Sequence, residues 1–315
     1  MTMDAAPYIY ICSAGHSGST LLDLLIGSHS RVAPLGEIDH LSKNIALNTL
    51  CSCGAPVRSC TLWRKVVKRV GREIGVDVLD QPYSLHMGYP KATTVVDRLH
   101  QTTAYLLRRK LVLGLLYLQL RAGAMILTPL TRRVDAAIDN NIRVFNAVRD
   151  ILNVDTVVDS SKSYLKAVSL YRRLPEHVRI ILLVRDGRAV LWSNLKRGTS
   201  RATAVREWKN QYNRALPLLT RHVPTDRLLL VRYEDLTAAP GDTLKTICSF
   251  VGLPFEDSML EFRSQVHHVA NGNRMRMSTS SIIRTDEEWV AKLMDDDRNY
   301  FERKAGGLNR TLGYI

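Results

Sequence analysis

Residues 13–20, SAGHSGST, lie between the apolar run YIYIC (8–12) and the leucine-rich LLDLLIG (21–27). The β-branched and aromatic residues before the stretch read as a buried strand, and the run after it reads as a helix. A strand that turns through small residues into a helix aims several backbone N–H groups at one point, where the helix dipole also favours negative charge. The stretch therefore predicts an anion-binding loop. Gly15 and Gly18 permit close backbone approach, and Ser17, Ser19 and Thr20 add hydroxyl donors. A Walker loop, G-x-x-x-x-G-K-[ST], would need Gly and Lys where Ser13 and Ser19 stand. Without that lysine and a downstream carboxylate for magnesium, a γ-phosphate would be poorly neutralised. A different anion is expected there.

Outward from this loop, strand patterns recur at 154–158, 178–184 and 228–233, with helical patterns at 21–28, 164–174, 188–195, 202–219 and 243–251. Alternation with near-continuous apolar strands predicts an α/β fold: a P-loop-like parallel sheet flanked by helices. The segment from about 61 to 152 is helical in pattern and rich in Leu and Arg, which predicts a helical insertion over the sheet's carboxyl edge within a single domain spanning 1–315. From about 266 onward the pattern is a long loop followed by a short helix at 286–294.

Further chemistry-bearing residues fall at strand ends. In IILLVRDGRAVLWSNLKRG (180–198), Arg185 ends an apolar strand and Ser193 follows eight residues later, with Arg188 and Arg197 near enough to assist. Arginine at the carboxyl end of a parallel strand faces the crevice where such sheets bind ligands, and its guanidinium grips phosphate in a bidentate way. In VVDSSKSYLKAV (157–168), Lys162 reaches the same edge and suits a leaving oxygen. Glu37, in GSHSRVAPLGEIDHL (27–41), would be returned to the loop's mouth by a hairpin-like piece ending PLG, and a carboxylate there suits a general base. Two anion-binding turns and a lysine on one edge imply a ligand with two separated anionic groups.

These residues resemble the sulfotransferases that use 3′-phosphoadenosine 5′-phosphosulfate (PAPS), and in particular the tyrosylprotein sulfotransferase-like branch. SAGHSGSTLL is similar to their 5′-phosphosulfate loop, and VRDGRAVLWSNLKR to their 3′-phosphate motif. The resemblance implies that Gly15, His16, Ser17, Gly18, Ser19 and Thr20 hold the phosphosulfate, and that Arg185, Ser193 and Arg197 hold the 3′-phosphate. It makes Glu37 the base and Lys162 the transition-state lysine, with His16 beside it, and brings Tyr233, from LLLVRYEDL, near the nucleotide. NGNRMRM (271–277) is similar to an element of many bacterial members and implies cofactor contacts from Gly272, Asn273 and Arg276. No metal is called for by this chemistry. Two departures stand out: His16 replaces the Lys or Arg that many members carry in the loop, and EIDH lacks the arginine that tyrosylprotein sulfotransferases place after their glutamate. The acceptor expected is a hydroxyl on a glycan, lipid or small molecule.

Composition bounds the remainder. Lys and Arg number 44 against 30 Asp and Glu, a formal charge of +14, so the surface should attract anions. Two other readings stand beside the first: a metal-dependent nucleotide kinase on the same fold, and a basic nucleic-acid or membrane-binding module. Under the sulfotransferase reading no nucleic-acid partner is expected. MTMDAAP carries neither the basic start nor the apolar stretch of a secretory signal, which predicts a cytoplasmic protein. LVLGLLYLQLRAGAMILTPL (111–130), interrupted by Arg121 and flanked by Arg108, Arg109, Lys110, Arg132 and Arg133, reads as a buried or groove-forming helix, with peripheral membrane contact through 105–133 as the minority reading. Cys51, Cys53 and Cys60, in CSCGAPVRSC, predict a compact reduced loop, or a Cys51–Cys60 bridge in an oxidising compartment; a metal would need a fourth ligand such as His40.

Overall fold

Alternate residues of YIYICS point to opposite faces. In the computed structural model, which describes residues 8–88, 103–123 and 129–315, they feed two separate cores. Tyr8, Tyr10 and Cys12 pack into one, Ile9 and Ile11 into the other. Burying such a side chain contributes roughly 1.5–3 kcal/mol, so a strand apolar on both faces is stable only between two helical layers. This strand, β1 (Tyr8–Ser13), is the middle of a five-stranded sheet ordered β2-β3-β1-β4-β5, with β2 Val32–Gly36, β3 Thr156–Lys162, β4 Val178–Val184 and β5 Leu228–Arg232. Every pairing is parallel.

One face carries α1 (Ser19–Ile26), α9 (Tyr233–Ala238) and α10 (Pro240–Val251); the other carries α3 (Thr61–Ile74), α5 (Pro129–Leu152), α6 (Tyr164–Arg173) and α8 (Arg201–His222). The remaining helices are α2 (Leu41–Leu47), α4 (Thr103–Ala122), α7 (Gly187–Leu195), α11 (Glu288–Lys292) and α12 (Asp295–Thr311). The insertion is α-helical at 61–74, 103–122 and 129–152, the stretch 75–88 between them being turns and one short 3-10 turn at Pro82–Leu85, while its parts at 89–102 and 124–128 lie outside the described residues.

Four expectations need correction. The piece ending PLG is no hairpin return but β2, an edge strand parallel to β3, a position that tolerates Pro34. The third strand starts at Thr156, later than the pattern implied, and runs on to Lys162, past its apolar part into DSSK. The C-terminal region holds a second helix, α12, beyond the short one. Its polar sequence and adjacent Gly306 and Gly307 hide it, yet Phe301 and Ala305 are buried, and three aspartates in its first turn match the helix dipole. The apolar run at 111–130 does not continue as one helix: α4 stops at Ala122, with Gly123 at φ 74°. Among the described residues no helix is long and apolar enough to cross a membrane. The side chains of Arg108, Arg132 and Arg133 lie outside the described residues.

Candidate active site

Each of the five strands delivers a chemistry-bearing residue at its carboxyl end: Glu37 just after β2, Lys162 at the end of β3, the 13–20 loop from β1, Arg185 after β4 and Tyr233 after β5. This is the edge at which open parallel sheets bind ligands.

The loop is braced from beneath. Buried Tyr212 accepts from the Ala14 amide at 3.2 Å, donates to the Leu183 carbonyl at 2.9 Å and lies 3.3 Å from Ser17 Oγ. The Ser17 hydroxyl is thus turned into the protein rather than toward a ligand. Gly18, at φ 88°, caps α1 and lies under the Tyr233 ring, which would come within 2.3 Å of a Cβ there, so only glycine fits. Thr20 Oγ1 accepts from the Asn273 amide at 3.1 Å, tying the 271–277 element to the loop.

Arg185 is 6% exposed and held on three sides. It donates to the His16 carbonyl at 3.0 Å and to Asp286 Oδ2 at 3.1 Å, and its guanidinium lies 4.4 Å from the centre of the Tyr233 ring. The turn that presents it is fixed by α12: Asn309 Oδ1 accepts from the Gly187 amide at 2.9 Å, and Phe301 fills the space a Cβ on Gly187 would need.

Glu37 and Lys162 form an ion pair. The Glu37 amide donates to the Asn271 carbonyl at 3.1 Å, and the Lys162 carbonyl accepts from Gln211 Nε2 at 3.1 Å. Beneath them Lys166, 1% exposed, pairs with Asp39 at 2.6 Å and Asp159 at 2.7 Å. Burial opposes the Lys166 charge, but the two carboxylates outweigh it and raise its pKa. That charged pin fixes the 38–40 turn against β3 and so sets where Glu37 stands.

Two cavities open at this edge. One, of about 970 Å³, is lined by Gly18, Thr20, Glu37, Arg185, Ser193 and Tyr233 among others; the second, of about 670 Å³, by Asp39, His40, Arg109, Gln211 and Arg214 among others. They share Gly15, His16 and Lys162. His16 and Lys162 are also non-glycine residues in the left-handed region, at φ 62° and 74°. Such conformations cost of order 1–3 kcal/mol and cluster at functional sites.

Most of the expected residues come together: Gly15, His16, Gly18, Ser19, Thr20, Glu37, Lys162, Arg185, Ser193, Arg197, Tyr233, Gly272 and Asn273 all line the larger cavity. Arg197 also donates to the Ser193 carbonyl at 2.8 Å. Arg276 and Arg188 do not line it. Arg276 donates to the Leu50 carbonyl at 2.8 Å, and Arg188 is taken by Asp186 and the terminal Ile315 carbonyl. The protonation of His16 departs from that of a free imidazole. Burial lowers its pKa, and Arg197, Lys162 and Arg185 lower it further, so its imidazole is neutral and offers one N–H. His40 lies 3.8 Å from Glu37 and away from the cysteines. The sequence reading missed Tyr212, Asp286 and the Lys166 pin; of these only the isolated lysine inside the apolar stretch YLKAV carried a signal.

A glycine-containing strand-to-helix turn and a buried arginine at the carboxyl edge of a five-stranded parallel sheet define an α/β protein of the P-loop-like type. A model described as the sulfotransferase family matches residues 95–257, just over half of the chain, and the chain belongs to that family. The match takes in Lys162, Arg185, Ser193, Arg197 and Tyr233, but not the 13–20 loop or Glu37. Among curated relatives, protein-tyrosine sulfotransferase 1 of Danio rerio is 26% identical over 163 residues, covering 48% of this chain and 46% of its own length. Carbohydrate sulfotransferase 1 of Danio rerio is 25% identical over 221 residues, covering 56% and 51%. The chain thus spans about half the length of these relatives. Among solved structures, the sulfotransferase domain of the Synechococcus PCC 7002 olefin synthase aligns over 99% of this chain and 96% of its own, with 19% identity and a TM-score of 0.48.

Proposed function

We propose that the chain transfers a sulfonate group from PAPS to a hydroxyl of an acceptor that enters the smaller cavity. The observation that carries this reading is the meeting of two cavities at Gly15, His16 and Lys162, as a two-substrate transfer requires. The larger takes the donor. Its 3′-phosphate lies on Arg185 and Ser193, displacing the Asp286 carboxylate that now meets that guanidinium. Its sulfonate lies on the loop amides and the neutral His16.

The acceptor oxygen attacks sulfur in line and forms the new S–O bond as the bond to the bridging phosphate oxygen breaks. Glu37 takes the acceptor's proton. Lys162, already against Glu37, holds the charge developing on the departing 3′,5′-bisphosphate. With His16 neutral, this full positive charge falls to Lys162. The smaller cavity mixes Arg109, Arg214, Lys43, Asp39 and Glu207 with Leu106 and Tyr164, which suits a polar acceptor with an apolar portion.

The test is incubation of the full chain with PAPS and pooled cell extract in magnesium-free buffer, with mass detection of products. Sulfonated products absent from a Glu37→Gln control are expected. Failure to consume PAPS with any acceptor pool, or transfer that persists in Glu37→Gln at the wild-type rate, overturns the reading.

A further inference from the structure

Cys51, Cys53 and Cys60 occupy the loop between α2 and α3, and the fold brings His268, 208 residues beyond Cys60, against them. Cys60 Sγ lies 3.7 Å from Cys53 Sγ, 3.8 Å from Cys51 Sγ and 3.2 Å from His268 Nδ1. All four donor atoms lie within 4.8 Å of one another. In a tetrahedral zinc site with Zn–S bonds of about 2.3 Å, two sulfurs are separated by about 3.8 Å. The Cys60 contacts already have that spacing. A Cys51–Cys60 disulfide would have to bring its sulfurs to about 2.05 Å and would leave Cys53 and His268 without a purpose.

The loop is built to hold this arrangement. The Cys51 amide donates to the Ala55 carbonyl and the Gly54 amide to the Cys51 carbonyl, each at 2.9 Å, with Gly54 at φ 87° completing the tight turn. The Cys60 amide donates to the Pro56 carbonyl at 2.8 Å, and Cys60 caps the N-terminus of α3, a position that favours thiolate. On the other side, Ser52 Oγ donates to the His267 carbonyl at 2.6 Å and accepts from the Val269 amide at 2.8 Å, while Trp63 Nε1 donates to the His268 carbonyl at 2.8 Å. His268 is thereby fixed at the backbone with its imidazole on the sulfurs. Cys51 and Cys60 are buried, and Cys53 and His268 are half-buried.

We propose that Cys51, Cys53, Cys60 and His268 form a structural Zn²⁺ site. Three thiolates and one imidazole are a donor set of closed, tetrahedral zinc sites. The ion clamps the 51–60 loop to the 267–273 segment. That segment supplies the Asn271 carbonyl that holds the Glu37 amide and the Asn273 amide that holds Thr20, so the metal braces both the proposed base and the loop without touching substrate. The assignment rests on donor geometry and is independent of the reaction proposed above.

The experiment is elemental analysis of the full chain, purified under reducing conditions without a metal-affinity step, with cobalt substitution as a second readout. About one zinc per chain is expected, together with a thiolate-to-cobalt charge-transfer band and the d–d bands of a tetrahedral ion. Cys53→Ser and His268→Ala should each weaken zinc binding at least about tenfold, His268→Cys should restore it, and Cys248→Ser should leave it unchanged. The wild-type analysis stands even if a ligand variant fails to fold. Substoichiometric metal after zinc is supplied to the reduced wild-type chain, or a disulfide among Cys51, Cys53 and Cys60 in the purified protein, overturns the site.

Discussion

The cavity at Arg185 and the cavity at Arg214 meet at Gly15, His16 and Lys162, yet they are made of different material. The first has a floor of strand ends and the turns after them and walls from α7 and the 272–288 segment, with groups held by several partners: Arg185 by His16, Asp286 and Tyr233, and Thr20 by Asn273. The second takes its walls from helices α4 and α8 and from the 38–40 turn, with charged side chains such as Arg109, Glu207 and Arg214 reaching in. A floor made of strand ends is preorganised by the sheet. A site made of side chains from separate helices can change its chemistry without disturbing the sheet. On the proposed reading the donor belongs to the first cavity and the acceptor to the second.

Substitutions can break that division of labour. The largest expected effect is at Glu37, which lines the larger cavity and pairs with Lys162 of the junction: Glu37→Gln keeps the shape of the side chain and removes the base, so kcat should fall by about 10²–10⁴. Affinity for 3′,5′-ADP should stay within about twofold, since the base is assigned to the acceptor's proton and not to donor binding. Equal loss of both would make Glu37 a donor-binding residue. Next is Arg185→Lys, which keeps the charge but loses the planar fork. A loss of about 1.5–3 kcal/mol, or roughly 10–150-fold in 3′,5′-ADP affinity, is expected by calorimetry, with the circular dichroism spectrum unchanged.

Arg214→Ala probes the other side and should raise acceptor KM by up to about fivefold, the scale of a partly exposed charge contact, with donor affinity unchanged. A change in donor affinity instead would merge the two cavities into one site.

The smallest effect concerns Asp23, fully buried in α1. Burial and then repulsion from Asp159 push its carboxyl well above the usual 3.8, so the folded protein keeps it protonated where the unfolded chain ionises it. The sign follows: below about pH 4 both states are protonated and Asp23 costs nothing, whereas above it the folded state is penalised as pH rises toward the folded pKa. Asp23→Asn should therefore raise Tm by about 2 °C at pH 7 and by nothing near pH 3.5. A thermal scan at the two pH values checks this, and a Tm that falls at pH 7 would contradict a protonated Asp23.

How much was legible in the sequence follows the same line. β1 and β4 were readable because strands buried on both faces leave uninterrupted apolar runs, and Arg185 and the 13–20 loop were readable because they directly follow those runs. β2 was less clear: it is a five-residue edge strand containing proline, so its pattern resembled a turn. α12 was hidden by its polar exposed face and two glycines, although it braces the turn that carries Arg185. Tyr212, Asp286 and His268 could not be placed by local pattern at all, and for the Lys166 pin the pattern gave only an isolated lysine in an apolar stretch, without its partners. Each acts on a partner brought near by the fold: Tyr212 on Ala14, Asp286 on Arg185, Lys166 on Asp39, His268 on Cys60. The charge on His16 was likewise a tertiary property, set by burial and by three cations that converge from separate elements.

The central claim, that the larger cavity is built for a nucleotide carrying a 3′-phosphate as well as a 5′ group, is tested most directly by titrating the chain with 3′,5′-ADP and with 5′-AMP in magnesium-free buffer at moderate salt. The 3′-phosphate on Arg185 and Ser193 should make 3′,5′-ADP bind at least about tenfold more tightly, as expected for a charge-assisted bidentate contact. Equal affinities, or binding that requires magnesium and prefers ATP, would contradict it.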